Sequence, residues 1–342
     1  MNKLTKVGFS ALCGSLAAIS SANAGEMTVT GGVDMSWVSL ANQNTGNPIG
    51  MGSNLTFKGS GEFDNGWTVD YTVANLNGNA FSSAAVAVGM GGLGKLNINS
   101  GDSGNGIQAM DDKIPTAWEE TTGAGLSTGI KGVSGVGTSM NIQYTTPSIA
   151  GLTIVLAHAP AMGQADTADK ASGGVQTSKG KGYDATININ PSLGTEILTG
   201  LNLFVGAHYT EHNKNSSLEN DLYEAVGGIT YSLGPVSLGY ARSGFITGQE
   251  DITAGFTHYK GAMYGIAFNV NDDLSVSWGH HEMRQHADDM LSQAEAIQVR
   301  SWQAAYTMGG ASIRLAETKG DNLFYTKTRD QDATTLSVSL AF

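Results

Sequence analysis

From Met27 onward the chain alternates. Met27, Val29, Gly31, Val33, Met35 and Trp37 share one parity, and Thr28, Thr30, Gly32, Asp34 and Ser36 share the other. A period of two puts successive side chains on opposite faces of a strand, one apolar and one polar. The pattern persists to the last residue, where Leu336, Val338, Leu340 and Phe342 alternate with Thr335, Ser337, Ser339 and Ala341. A chain end is ordinarily frayed and polar. An alternation that finishes on a bare aromatic implies an apolar medium beside the last strand.

The same signature recurs between turn residues. Leu55 to Phe63 turns at Asp64-Asn65-Gly66 into Trp67 to Val73, the residue pattern of a tight hairpin. Further hairpins join 85–90 to 95–101, 140–144 to 152–156, 183–189 to 201–209, 225–233 to 236–240, 264–270 to 274–278 and 302–308 to 313–315. With one opening and one closing strand, the count is about sixteen. Short turns alternate with long polar connections near 41–53, 75–82, 102–138, 159–182, 211–221, 243–256, 282–295 and 317–332. A soluble sandwich has no reason to gather its short turns at one end. A transmembrane barrel has an even strand number, short turns on one side and long loops on the other.

Charge placement agrees. Asp34, Lys58, Glu62, Asp70, Lys95, Asp184, Glu224 and Arg314 all fall on the polar parity, which in a barrel is the pore wall. Arg242 and Arg300 share parity with apolar residues but lie beside long loops, where a membrane would end. Aromatics gather at strand ends: Trp37, Tyr209, Tyr240, Trp278 and Trp302 near long loops, and Phe63, Trp67, Tyr231 and Phe342 near short turns. Two interfacial girdles have this distribution. Phe342 then sits at an interface, and its strand pairs with the first to close the sheet and remove edges that lipid cannot hydrogen-bond.

The first 24 residues read differently. Lys3 and Lys6 precede an apolar run from about Val7 to Ile19, followed by Ala22-Asn23-Ala24. This is the layout of a secretory signal cleaved after Ala24, leaving 25–342 as one barrel domain. The run is too short to span a bilayer as a helix. Cys13 lies within it, and Leu12 stands where a lipoprotein signal would carry a small residue, so the mature chain is expected to be cysteine-free and unlipidated. The whole chain carries a formal charge of −12; without Lys3 and Lys6, 16 basic residues face 30 acidic ones, a balance of −14. That argues against nucleic acid as a partner and for attraction of cations.

The 102–138 connection is long for a segment without its own fold, and such loops are functional or disordered. Read as a loop folded into the lumen, it carries Asp102, Asp111, Asp112, Glu119 and Glu120 to a constriction, where clustered carboxylates favour cations. Other motifs have bland readings. Gly89 to Lys95 fits G-x-x-x-x-G-K but lacks the following Ser/Thr and opens no helix, so it reads as a glycine-rich turn. His281-Glu282-Met283-Arg284-Gln285-His286 has an i, i+5 spacing rather than that of the zinc motif, and reads as a solvated turn. His208 and His281 fall on the lumen parity. No catalytic arrangement, metal site or cofactor is assigned, and the expectation is a protein that is not an enzyme.

Taken together, the leader, about sixteen alternating strands, a long third loop and the terminal Phe resemble the general porins of Gram-negative outer membranes. Asn54-Leu55-Thr56-Phe57-Lys58-Gly59 is similar to that family's second strand, and Asp111 to Thr121 is similar to its third-loop signature. The resemblance implies that the third loop folds inward, that Asp112 and Glu120 occupy acidic constriction positions and that Lys58 occupies a basic wall position. It also implies a homotrimer, placed among outer-membrane lipid and lipopolysaccharide by barrel assembly machinery acting on the C-terminal strand. Thr116 and Asn54 depart from the family pattern, where a further acid and an arginine are frequent, and no full arginine ladder is present. The expected function is passive diffusion of small hydrophilic solutes and ions, with a cation preference. Two alternatives stand beside it: a channel selective for one nutrient class, and an exported all-β binding or adhesion protein without a pore.

Overall fold

The computed structural model describes residues 26–41, 46–77, 82–163, 179–191, 199–212, 220–248, 258–286 and 295–342. The signal-like segment, with Cys13 and the site after Ala24, lies outside the described residues, as do parts of most long connections. Sixteen strands follow one another: β1 (Met27–Leu40), β2 (Ile49–Glu62), β3 (Thr68–Leu76), β4 (Ser83–Gly89), β5 (Lys95–Ser100), β6 (Asn141–Thr145), β7 (Leu152–Ala159) and β8 (Lys179–Ile189). The second half comprises β9 (Leu201–His212), β10 (Leu222–Leu233), β11 (Val236–Ile246), β12 (His258–Asn269), β13 (Leu274–His286), β14 (Ile297–Met308), β15 (Ala311–Asp321) and β16 (Gln331–Ala341). Each pairs antiparallel with its sequence neighbours, and β1 pairs with β16, so the sheet is a closed meander. Among the described residues no helix is long and apolar enough to cross a membrane.

The apolar parity faces outward. Trp37, Leu55, Phe57, Leu203, Leu238, Ile266, Trp302, Leu336 and Phe342 are all exposed, Trp302 at 65% and Phe342 at 80%. A barrel in water would bury these residues; in lipid their exposure is favourable, and closure leaves the sheet no open edge of unpaired backbone groups. Closure runs through the two chain ends: Gly31 N–H donates to Phe342 O at 2.8 Å, and Phe342 N–H donates to Gly31 O at 2.9 Å.

Short turns follow from local chemistry. Gly66 has φ +80°, which the bend after Asn65 requires, and its N–H donates to Phe63 O at 2.8 Å. The Gly91–Leu93 stretch is a single 3₁₀ turn between β4 and β5, so the nucleotide-loop pattern is a hairpin connection. Several strands run further than their alternation suggests. β13 continues to His286 and β11 to Ile246, so the His281–His286 stretch, read from sequence as a solvated turn, is strand. The reason is physical: past the apolar band the outward face carries Glu282, Arg284 and His286, while the inward face stays covered, with Met283 fully buried against Phe245 and Tyr259, so the ladder persists while the apolar-out alternation stops.

Inside the barrel there is an apolar cluster as well. Ile107, Met110 and Val133 of the third connection pack with Phe204, Val226, Ala241 and Met263 of β9–β12. These four wall residues sit on the lumen parity, where sequence leads one to expect polar groups.

Candidate functional site

The third connection, 101–140, lies along the inner wall, and its hydrogen bonds trace the path. At its root Asn105 Nδ2 donates to Asp102 O at 2.7 Å. A 3₁₀ turn, Gly106–Met110, then meets β8 and β9, where Ile107 N–H donates to Asp184 Oδ2 at 2.8 Å. The chain runs across β11 and β12 to β13 and β14: Ala117 N–H donates to Ser277 Oγ at 2.8 Å, and Glu119 N–H to Gln303 Oε1 at 2.9 Å. Beyond its far end Phe324 N–H donates to Thr128 O at 2.9 Å. The returning limb comes back to the starting strands, with Ser134 and Gly135 N–H donating to Glu224 at 2.7 and 2.8 Å and Val136 N–H to Asp184.

Asp184 and Glu224 therefore hold the loop's backbone. Asp184 is 4% exposed and also bonds His208, whose other ring nitrogen meets Thr210 Oγ1 at 2.6 Å. Both residues lie on the wall face expected from parity, but Asp184 is covered by the loop rather than facing open pore. A buried carboxylate is tolerated there because backbone N–H groups and an imidazole satisfy its oxygens.

Glycines clear the loop's track. A Cβ on Gly206 would stand 2.9 Å from Ile107 Cγ1, one on Gly239 2.5 Å from Pro115 Cδ, and one on Gly265 2.9 Å from Ile114 Cγ2. A Cβ on Gly279 would strike Thr121 Oγ1. Thus β9 and then β11, β12 and β13 in succession each give up an inward side chain where the loop passes, a signal in the sequence that parity reasoning does not weigh.

The loop's acids collect on one side. Asp111, Asp112 and Glu120 bring carboxylate oxygens within 4.8 Å of one another. Glu119 adjoins them, and its Oε1 accepts Glu120 N–H at 3.1 Å. Glu120 still reaches solvent, yet its carboxyl is pushed up to about 8, first by crowding from loop and wall, then by its hydrogen bond to Asp112 and the charges of Asp112, Asp111 and Glu119. Asp111 is pushed up to about 6 by burial and then by Asp112. Burial likewise raises Asp102, which stays at the loop's root. Among the described residues this is the group whose ligand set could hold a metal; its all-oxygen chemistry suits hard divalent cations.

Elsewhere on the wall, charges cancel in pairs. Lys58 Nζ lies 3.3 Å from Asp70 Oδ1, and Arg314 Nη1 lies 2.7 Å from Asp34 Oδ2. Ser337 Oγ donates to Asp34 at 2.5 Å, and the Arg314 guanidinium stands 5.8 Å from the Trp118 ring centroid. Glu62 and Asp70 line an open cavity of about 810 Å³ with Asp64 at the short-turn end, and Lys95 is exposed at that end too. Gln303 and Ser277, which fix the loop's tip, were not singled out from sequence; only their inward parity marked them.

A family model described as Gram-negative porin matches residues 10–342. The chain belongs to that family. This porin's fold resembles that of Salmonella typhi OmpF in complex with daunomycin, with TM-score 0.68, 11% identity and coverage of 93% of this chain and 98% of that one. It also resembles the anion-selective porin from Comamonas acidovorans, with TM-score 0.62, 16% identity and coverage of 93% and 99%. A third likeness is to OmpT of Vibrio cholerae in its trimer form, with TM-score 0.59, 12% identity and coverage of 93% and 100%. Comparison with curated proteins by sequence gave no match. Family and barrel together make this an outer-membrane channel for passive diffusion. The pore-free adhesion alternative, which would pack its apolar parity against itself, is set aside by family membership and by the outward exposure of that parity.

Proposed function

We propose that this porin passes small hydrophilic solutes and ions through a lumen narrowed by the 101–140 loop, and that it prefers cations. The reading rests on the Asp111, Asp112, Glu119 and Glu120 group. Because Lys58 and Arg314 are each matched by a wall carboxylate, the acids of the loop are the larger unbalanced charge, against Lys113 and Lys131 on the same segment. Carboxylates clustered at a narrowing raise the local concentration of cations. The sign of selectivity is carried by these residues and not by the fold, since an anion-selective porin shares that fold. The chain is read as a homotrimer, in line with the trimer form of the OmpT relative, and as exported by cleavage after Ala24. Transport needs no bond-making step and no cofactor.

Reversal potentials across a planar bilayer under a potassium chloride gradient test the preference. The expected sign is that of a potassium-over-chloride channel; a chloride-over-potassium sign overturns it. Liposome swelling with sugars and amino acids of graded size tests the passage of solutes. A smooth dependence on size fits general diffusion, and one preferred solute points to the nutrient-selective alternative.

A further inference from the structure

The 101–140 loop carries two lysines beside its acids, Lys113 and Lys131, and the second is placed where it balances none of them. Lys131 precedes Gly132, whose backbone lies against the acid group: a Cβ there would strike Asp111 Oδ2. Val133 N–H donates to the same carboxylate. A lysine this close has a flexible four-carbon stem with which to pair that carboxylate. It does not do so. Lys131 makes no ion pair among the described residues. Its ammonium instead lies over the Tyr259 ring, 4.9 Å from the centroid, and 6.0 Å from the centroid of Phe245.

The rings form a shelf on the inner wall. Phe245 of β11 and Tyr259 of β12 stack at 4.6 Å with planes 17° apart, and Tyr325 of the β15–β16 connection meets Tyr259 at 5.8 Å. Met283 of β13 is fully buried against them, and its Sδ accepts Lys131 N–H at 3.4 Å. Ile130 packs on the same cluster, and Phe324 N–H holds Thr128 O just before it. Backbone and ammonium of Lys131 are therefore both held by the wall. The shelf lies toward the long-loop end. Tyr259 is two inward steps along β12 from Met263, which lines a cavity of about 230 Å³ with Asp111, Glu120 and Gly132. Two steps are about 13 Å along a strand, more than the Debye length of about 8–10 Å at physiological salt. A charge at that remove is largely screened, whereas a charge paired with a carboxylate is not. The charges that bear on Asp111 are those of Asp112 and Glu224, and on Glu120 those of Asp112, Asp111 and Glu119, acids in every case.

We propose that Tyr259, with Phe245 and Tyr325 beside it, is a positioning residue for ion selectivity: it holds the Lys131 ammonium on its ring face, away from Asp111 and Glu120, and so preserves the negative charge of the narrowing. A ring face attracts a cation through its quadrupole, and an ammonium on a flexible stem has two places to go here, the shelf and the acid group. The shelf decides between a narrowing whose acids stay unbalanced and one in which an internal ion pair cancels part of them. Lys58 and Arg314 show the other outcome, since each is matched by a wall carboxylate. The inference rests on the cation-preferring reading of the loop.

The test is a double-mutant cycle on the folded full-length barrel in planar bilayers, read as the potassium-over-chloride permeability ratio from reversal potentials. Y259L removes the ring face and keeps apolar bulk. It should lower the ratio by up to about fivefold, the range of an exposed cation–π contact. K131Q should raise the ratio more in the Y259L background than in wild type, so that Y259L/K131Q regains the ratio of K131Q alone. An unchanged or raised ratio in Y259L overturns the proposal. So does a lowered ratio that K131Q fails to restore, which is what a merely displaced loop would give. If Y259L folds poorly, seen as loss of heat-modifiable migration on gels, Y259F and ring-fluorinated phenylalanines at 259 replace it. These keep the shape of the ring while weakening its hold on a cation. The ratio should then fall stepwise with fluorination, and a level series counts against the shelf. The wild-type sign tests the cation-preferring reading by itself. The coupling between 131 and 259 is a ratio of ratios, readable under either sign, so the two failures are told apart.

Discussion

At the scale of single residues, the function turns on carboxyl groups whose surroundings hold protons. Glu120 titrates at about 8 and Asp111 at about 6 because crowding and neighbouring acids disfavour their charged forms. Both are neutral below these values and charged above them. Raising the pH from 5 to 9 therefore adds negative charge at the loop, first at Asp111 and then at Glu120. Cation preference in reversal-potential measurements should rise over that window in two steps. Glu120→Gln should abolish the upper step and keep the lower; a flat profile in wild type would refute the assignment. The sequence placed these acids on the third connection and Asp184 and Glu224 on the pore wall, but did not show that the wall pair would be engaged by the loop's backbone. Parity says which side of the wall a carboxylate is on, whereas what lies over it is a tertiary fact: Ile107 and Val136 cover Asp184, and Ser134 and Gly135 meet Glu224.

The elements show a similar division. Every strand core was legible because lipid on one side and water on the other impose alternation. Strand ends were not: β13 was readable to Trp278, yet its ladder continues through Gln285 and His286, where polar groups on the outward face and buried Met283 and Gln285 on the inward one remove the pattern but not the hydrogen bonds. The path of the third loop was legible only as length and charge, since its fit to the wall is written in absent side chains. That fit is testable. Gly239→Val places a branched side chain where even a Cβ would stand 2.5 Å from Pro115 Cδ, and proline has little freedom to yield. Gly239 lies on an inward position of β11 that the loop covers, so the barrel should still assemble while the loop is displaced. Single-channel recordings should show a changed conductance with more frequent closures, and heat-modifiable migration on gels should persist. Wild-type current traces from this variant would mean that the loop is not held at β11.

For the whole molecule the decisive contact is the seam. β1 meets β16 with Val33 opposite Leu340, Met35 opposite Val338 and Trp37 opposite Leu336, while Asp34 faces Ser339 and Ser36 faces Ser337. A slip of one residue would turn every one of these side chains to the wrong medium, so closure and register are a single choice made by the same alternation. Closure also matters energetically, because an open edge would leave a row of N–H and C=O groups in hydrocarbon at several kcal/mol each. Cys13 falls in the leader segment, which the mature chain is expected to lose, so single cysteines can be placed cleanly. Spin labels at Val338→Cys and Leu340→Cys should collide readily with oxygen and poorly with a water-soluble nickel chelate. A label at Ser339→Cys should do the reverse. Val338→Arg should further lower the folding stability of the barrel in lipid by up to about 2–4 kcal/mol, the larger loss the nearer the site lies to the bilayer midplane. If labels at 338 and 340 reported water while 339 reported lipid, the face that defines the channel would be inverted, and the lumen assigned to Asp111, Asp112 and Glu120 would have to be given up with it.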